Sequence, residues 1–204
     1  MPAKRKKDTR SVNKAVFIFC EGKKTEPNYF KSLIADLRLP PNLIRVEVVD
    51  SVHTDLCSLV NDAKDHRKQQ KSLPNDEYWI VVDKDGYTEH ARGFDAARGS
   101  NISIAFSSIC FEYWLLLHYK YTSAAATDCA AMMRELKRHF PAYAKGDVST
   151  YAKSRAGLDD AIRRAQRLRA DYAVRGDCDR PWECNPYTNV DELVECLRGH
   201  VSTL

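Results

Sequence analysis

Short apolar segments alternate with amphipathic segments over the first half of the chain, and this alternation constrains the fold more than any other feature. The apolar segments cover residues 15–20, 43–49, 78–82 and 102–106. The first of them, AVFIFC, contains no charged position, as expected for a strand that is buried on both faces of a sheet. The intervening segments carry apolar residues at helical spacing. This β-α-β-α-β-α-β order predicts an α/β fold with a mostly parallel sheet flanked by helices.

The second half of the chain has a different pattern. Helices are predicted over residues 111–121, 124–139, 156–173 and 190–198. Before the last of these, Pro181 and Pro186 indicate an extended connection. We divide the chain into a basic leader at 1–13, an α/β domain at 14–121, and a C-terminal helical extension at 122–204 that packs on the same domain.

Composition limits the classes of protein to which the chain can belong. Of the 204 residues, 44% are hydrophobic, which is enough for a core. No apolar run of about 18 residues is present to span a membrane, and no signal-peptide pattern follows the basic start. We therefore expect a cytoplasmic protein with no membrane partner. The seven cysteines are scattered without a C-x-x-C pair, so no structural zinc site is expected, and most should be small buried residues.

Three carboxylates follow two of the predicted strands. Glu21 comes directly after the first strand, and Asp83 and Asp85 come directly after the third. Ligands of parallel α/β sheets bind at the carboxyl ends of the strands, and the D-x-D spacing places both aspartates on one side. Converging carboxylates repel one another unless a cation neutralises them, and Mg²⁺ or Mn²⁺ prefers such oxygen ligands. The alternative is ordinary turn chemistry, and the spacing alone does not decide between the two.

The motifs around these carboxylates resemble a known domain. FIFCEG at 17–22 and WIVVDKD at 79–85 resemble the Toprim domain of topoisomerases, primases and overcoming-lysogenization-defect nucleases. A closer resemblance is to the RloB-like family, a Toprim-related group of bacterial and archaeal defence loci. It is carried by EGKKTEPNYF at 21–30, WIVVDKD at 79–85, CFEYWLLLH at 110–118, YAK at 151–153 and NPYT at 185–188. One departure is Ser108-Ile109, where the family commonly has Asn-Pro.

The resemblance implies roles for individual residues. A Toprim-like fold would use Glu21 as general acid/base or as a further metal ligand, and Asp83 and Asp85 to hold Mg²⁺. Glu26 would be a further catalytic carboxylate, although a helix-capping role is the alternative. Lys153 would stabilise charge that develops on phosphate.

Several basic residues are candidates for nucleic-acid binding. Lys23 and Lys24 lie in the loop after the first strand, and Arg155 precedes a basic helix. On that helix Arg163 and Arg167 are four residues apart and share a face, so each could neutralise a phosphate. The alternative is a solvated helix whose arginines pair with nearby aspartates.

Two residues of the CFEYWLLLH segment have alternative interpretations. Glu112 begins an otherwise apolar helix, where a buried carboxylate needs a partner, so it either reaches the acidic site or caps the helix. For His118 a structural role is favoured over that of a catalytic acid.

The resemblance implies a function as well as a fold. It implies a metal-dependent nuclease that cleaves phosphodiester bonds of DNA or RNA, tRNA included, as an effector of anti-phage defence and abortive infection. A separately encoded AAA-type ATPase is the expected partner, because the chain has no G-x-x-x-x-G-K-[ST] motif of its own. The alternative is a non-catalytic module that docks on that ATPase or senses a nucleotide. A topoisomerase or primase ranks last, and the oligomeric state, a homo-oligomer included, is left open.

Overall fold

A computed structural model describes residues 14–84, 88–176 and 180–201. In chain order its elements are β1 (Lys14–Cys20), α1 (Thr25–Leu37), β2 (Ile44–Val49), α2 (Leu56–Gln69), β3 (Glu77–Asp83), α3 (His90–Gly99), β4 (Ser103–Ser108), α4 (Glu112–Leu117), α5 (Cys129–His139), α6 (Thr150–Ser154), a 3-10 turn (Arg155–Gly157), α7 (Leu158–Arg175), β5 (Tyr187–Thr188) and α8 (Val190–Arg198).

The strands form one five-stranded sheet in the order β2-β1-β3-β4-β5. The first four strands pair in parallel, and β5 pairs antiparallel to β4. The predicted α/β class, with a mostly parallel sheet flanked by helices and with helices at the C-terminal end, is therefore confirmed. The short β5 is not predicted from the sequence, because two residues carry no periodic pattern.

Both faces of the sheet are covered, as the uninterrupted apolar run of β1 predicts. Successive side chains of a strand point to opposite faces. Accordingly, Val16 and Ile18 belong to a core formed with α1, α4, α7 and α8, whereas Phe17 and Phe19 belong to a second core formed with α2 and α3. All six residues of α4 are buried, so this helix lies inside the first core.

The segment 122–204 contributes a strand as well as helices. Asn189 fixes the position of β5 because its side chain accepts a hydrogen bond from the Phe106 backbone N–H at 2.7 Å and donates to the Ile104 carbonyl at 2.9 Å. Both bonds are made to β4, so this part of the chain completes the sheet. The domain boundaries given above stay a prediction.

Helix boundaries differ from the expectation by a few residues, as local capping determines them. Helix α5 begins at Cys129 because the Asp128 side chain caps it, accepting a hydrogen bond from the Ala131 N–H at 2.6 Å. Helix α7 extends to Arg175 and ends at Gly176, whose φ of 65° is favourable for glycine. Among the described residues, no helix is long and apolar enough to cross a membrane.

Candidate functional site

Glu21 and Asp83 meet at the carboxyl edge of the sheet, as the sequence predicts. The parallel register of β1 and β3 pairs Cys20 with Val81, and the Glu21 N–H continues this ladder to the Val81 carbonyl at 2.9 Å. One side-chain oxygen of Glu21, Oε2, accepts a hydrogen bond from the Asp83 backbone N–H at 2.8 Å. The two carboxylates are therefore held at adjacent strand ends. Asp85 lies outside the described residues, and its role stays a prediction.

Asp83 is placed where its negative charge is poorly compensated. Its Oδ1 atom is buried and has no hydrogen-bond partner among the described residues. Burial, followed by the negative charges of Glu26, Glu21 and Glu112, raises the pKa of Asp83 well above its ordinary value, although a backbone hydrogen bond from Phe111 opposes this. Such a carboxylate is destabilising when ionised unless a cation is bound to it.

Glu26 is the third carboxylate of the cleft. It lies in the first turn of α1 with 8% of its surface exposed. Burial raises its pKa, with a further contribution from Glu112, against a lowering by its own backbone N–H and by Lys145. A Cβ atom at Gly22 would lie 1.9 Å from the Glu26 Oε2 atom, so the absence of a side chain at position 22 is what makes room for this carboxylate.

Glu112 is buried near the cleft and does not cap its helix. Helix α4 has no side-chain capping hydrogen bond, and Glu112 is 1% exposed. Its Oε1 atom accepts a hydrogen bond from the Tyr143 hydroxyl at 2.8 Å, and its Oε2 atom accepts one from the Cys129 thiol at 3.6 Å. Glu112 does not line the cleft, but its charge contributes to raising the pKa values of Asp83 and Glu26.

The loop between α5 and α6 supplies a lysine to the cleft. Lys145 lines the cleft, and Glu112 is the largest of the influences that raise its pKa. The loop is held to α1 at the next residue, because Gly146 donates its N–H to Thr25 Oγ1 at 3.0 Å and accepts a bond from the Asn28 side chain at 2.9 Å. The loop therefore holds Lys145 in the same cleft as the carboxylates.

Neither Tyr143 nor Lys145 is predicted from the sequence. Their segment has no strand or helix period and carries none of the quoted motifs. The one local signal is the glycine that follows Lys145, whose φ of 81° allows the tight turn that presents the lysine.

Together these residues form a cleft of about 480 Å³. It is lined by Glu21, Gly22, Lys23, Lys24, Thr25, Glu26, Thr54, Asp83, Lys145 and Gly146. The predicted phosphate-binding pair Lys23 and Lys24 is therefore brought to the same cleft as the carboxylates. Acidic groups at the sheet edge and three lysines around them match what a phosphodiester and a divalent cation would require together.

The other predicted basic residues lie away from the described lining of this cleft. Lys153 forms an ion pair at 2.9 Å with Asp147, which belongs to the loop that carries Lys145. Arg155 is exposed and pairs with an aspartate of α1. Arg163 pairs with an aspartate on its own helix. The guanidinium of Arg167 lies 4.4 Å from the centre of the Tyr121 ring. The proposed roles of these residues stay predictions.

His118 has the environment of a structural histidine. It is buried, its Nε2 atom is 3.1 Å from the Tyr29 hydroxyl, and its Nδ1 atom is 3.1 Å from the Trp114 carbonyl. Burial lowers its pKa to about 4, so the ring is neutral at physiological pH. This agrees with the structural interpretation favoured from the sequence.

The donors of the cleft are of the type that a hard divalent cation prefers, although they are not among the groups of described residues whose ligand atoms all lie within 4.8 Å of one another. The buried, unpartnered Oδ1 of Asp83 offers one ligand atom, and the carboxylates of Glu21 and Glu26 lie close enough to raise its pKa. Oxygen donors with room for water and phosphate oxygens are the environment that Mg²⁺ and Mn²⁺ prefer. These residues are therefore the ones that would hold the ion.

Comparison with known proteins assigns the chain to a family. A family model described as RloB-like protein matches residues 16–197. The chain belongs to the RloB-like family. The RloB-like match begins within β1 and ends within α8, so it includes the whole of the cleft and the helices packed on the sheet. No curated protein and no solved structure matches the chain.

Proposed function

We propose that this RloB-like protein is a metal-dependent nuclease that hydrolyses phosphodiester bonds of DNA or RNA at the cleft of Glu21, Glu26 and Asp83. The observation that carries the proposal is the buried Oδ1 atom of Asp83, which lacks a partner among the described residues and lies among further carboxylates. A protein gains nothing in stability from such an arrangement, since each ionised carboxylate disfavours the others. Perturbed carboxylates in a cleft are typical of functional sites.

The residues of the cleft divide between holding the ion and holding the substrate. Asp83 would hold the ion together with Glu26, and Asp85 is the further ligand that the family resemblance implies. Bound there, Mg²⁺ or Mn²⁺ would neutralise the carboxylates and stabilise negative charge on the phosphate. Lys145, with Lys23 and Lys24, would orient the phosphate within the cleft.

Glu21 is the proposed general base. Its carboxylate is oriented by the Asp83 backbone N–H at 2.8 Å, so it is fixed beside the ion-binding position. In the proposed step, the oxygen of a water molecule bonds to phosphorus, the water proton passes to Glu21, and the bond from phosphorus to the leaving oxygen breaks. The leaving oxygen takes a proton from solvent. Lys153 would act indirectly, through its ion pair with Asp147 in the Lys145 loop.

A cleavage assay with matched variants tests this proposal. Supercoiled plasmid, a single-stranded oligodeoxynucleotide and unfractionated tRNA are each incubated with the protein and Mg²⁺, Mn²⁺ or a chelator. We expect metal-dependent cleavage of at least one substrate and a loss of about 10²–10³-fold in rate for Asp83→Asn. Asp159→Asn is the control, because Asp159 is exposed on α7 and pairs with Arg198.

Two results would contradict the proposal. Cleavage by Asp83→Asn at the rate of the unsubstituted chain would remove the assigned site. A failure to cleave all three substrates, with Mg²⁺ still bound, would favour the alternative of a non-catalytic module.

The biological setting belongs to the same proposal. Membership of the RloB-like family, together with the defence role that the resemblance implies, supports an anti-phage effector that works with a separately encoded AAA-type ATPase. We expect expression with that ATPase to produce discrete nucleic-acid ends and growth arrest during infection, and Asp83→Asn to produce neither. Sequencing the ends would identify the substrate.

A further inference from the structure

Two cysteines and a glutamate come together next to the cleft. Cys110 follows β4, Glu112 begins α4, and Cys129 begins α5, yet their candidate ligand atoms all lie within 4.8 Å of one another. The Cys129 thiol is 3.6 Å from Glu112 Oε2 and is also hydrogen-bonded to the Cys110 thiol. Cys110 and Glu112 are buried, whereas Cys129 is partly exposed. A metal ion could therefore reach the group from the side of Cys129.

The chemistry of these three donors differs from that of the neighbouring carboxylates. Two sulfurs and one oxygen suit zinc, which binds sulfur at about 2.3 Å and carboxylate oxygen at about 2.0–2.2 Å. In a tetrahedral site these lengths place the two sulfurs about 3.8 Å apart. The observed spread of up to 4.8 Å needs only a small contraction. Mg²⁺, in contrast, has little affinity for thiolates.

The charge around the group is suited to a bound Zn²⁺. Two thiolates and one carboxylate would leave a net charge of about −1 with the ion in place. Lys145 lies close to this group, and for this reason Glu112 and Cys129 both contribute to raising its pKa. Its ammonium group offsets the remaining negative charge. Tyr143 donates to the other Glu112 oxygen at 2.8 Å and orients that carboxylate, as groups behind zinc ligands commonly do.

A second group with suitable donors, Glu77, Cys196 and His200, is a poorer candidate. The Glu77 carboxylate is already paired with the ammonium group of Lys14 and accepts a hydrogen bond from Cys196 at 2.8 Å. A metal ion there would have to displace a cation that the protein itself supplies. This group therefore provides a matched control.

We propose that Cys110, Glu112 and Cys129 form a zinc site beside the hard-cation position at Asp83. Three protein ligands leave a fourth position for water or another oxygen donor. Zinc would fix the Glu112 carboxylate and would couple the starts of α4 and α5. The proposal goes beyond the proposed nuclease function and does not depend on it. It also replaces the expectation of no zinc site, which rested on sequence spacing alone.

Cobalt substitution tests the site, because thiolate ligation has its own spectrum. The full chain, reduced and stripped of metal, is titrated anaerobically with Co²⁺. We expect one equivalent to give a near-ultraviolet thiolate-to-cobalt charge-transfer band with the visible bands of tetrahedral cobalt, and Zn²⁺ to displace it. Cys129→Ser is the main variant, since Cys129 is partly exposed at the edge of the first core and serine is close to it in size. We expect a loss of most of the band and an affinity for Zn²⁺ lower by at least about tenfold.

The controls separate this proposal from the nuclease proposal. Cys196→Ser should keep the band, and so should Asp83→Asn, which is expected to abolish cleavage. Cys110→Ser should resemble Cys129→Ser. Absence of a charge-transfer band, a band unchanged in Cys129→Ser, or a band lost only in Cys196→Ser would each overturn the proposal. So would a Cys110–Cys129 disulfide in chain purified with reductant.

Discussion

The two ends of β3 carry an acidic residue each, and their surroundings are opposite. At the amino end, Glu77 receives hydrogen bonds from Cys196 and from Lys14, and these outweigh the effect of burial and lower its pKa. At the carboxyl end, Asp83 has other carboxylates around it and a raised pKa. One strand thus carries one carboxylate that the protein compensates and one whose Oδ1 atom has no hydrogen-bond partner among the described residues.

This difference separates an acid that stabilises the fold from one for which we propose a functional role. Glu77 stabilises the fold through partners that the described chain provides. Asp83, in contrast, destabilises the folded state when it is ionised. We therefore expect cations from solution to stabilise the protein at the Asp83 end of β3 and not at the Glu77 end.

Thermal protection by metal should therefore depend on Asp83. At a metal concentration of about 100 times Kd, binding contributes about 2.7 kcal/mol, which for a chain of this size corresponds to a rise of about 5–10 °C in Tm. We expect Mg²⁺ or Mn²⁺ to produce this rise in the unsubstituted chain and in Glu77→Gln, and to have little effect on Asp83→Asn. Differential scanning fluorimetry with and without chelator measures it. Equal protection of all three proteins would show that the metal does not act through Asp83.

Gly22→Ala tests the packing that brings Glu26 to the Asp83 end. The added Cβ would lie 1.9 Å from Glu26 Oε2, so the carboxylate or the backbone must move. We expect a loss of about 1–3 kcal/mol in the free energy of unfolding, together with weaker metal protection. Gly99→Ala is the matched control, because a Cβ there meets nothing within 4 Å. Denaturant unfolding compares the two, and a Gly22→Ala protein as stable as Gly99→Ala would show that the cleft is looser than described.

Lys145→Met tests what the ammonium group of this lysine contributes to the cleft. Lys145 lines the cleft, whereas Lys153 is held by Asp147 at 2.9 Å. We expect Lys145→Met to lower the cleavage rate by about tenfold, equivalent to about 1.4 kcal/mol, and Lys153→Met to cost less. Initial rates at saturating Mg²⁺ give the ratio. A larger effect at Lys153 would favour the direct catalytic role that the family resemblance implies for it.

The sequence predicts the acidic cluster at the carboxyl end of β3, because strand order and register follow from apolar patterning. Glu21 and Asp83 terminate buried parallel strands, and their meeting requires no knowledge of side-chain packing. Lys145 and the approach of Cys129 to Cys110 depend on how loops and helices pack across the sheet. No periodic pattern encodes those contacts. The same limit applies to β5, which is positioned by the Asn189 side chain rather than by a strand pattern.

The pH dependence of stability is expected to change only slightly in the variants. It nevertheless tests the difference between the two ends of β3 most directly, because the two residues should act with opposite signs. In chelator, the raised pKa of Asp83 makes the folded state bind more protons than the unfolded state, so this residue lowers stability as the pH rises above its unfolded pKa. The lowered pKa of Glu77 contributes stability that is present above its unfolded pKa and is lost as the pH falls through its folded pKa.

Asp83→Asn should therefore unfold at a higher temperature than the unsubstituted chain near pH 8, by about 2–4 °C, which corresponds to about 1 kcal/mol. Glu77→Gln should unfold at a lower temperature, by less than this, because its side chain is 35% exposed and solvent screens its ion pair. Both differences should shrink toward pH 4, where the carboxylates take up protons. Measuring each variant against the unsubstituted chain at every pH cancels the titration of groups that do not interact with the substituted residue. Differences of the same sign would mean that Asp83 is compensated within the protein, and the case for a metal at that end of the strand would fall with it.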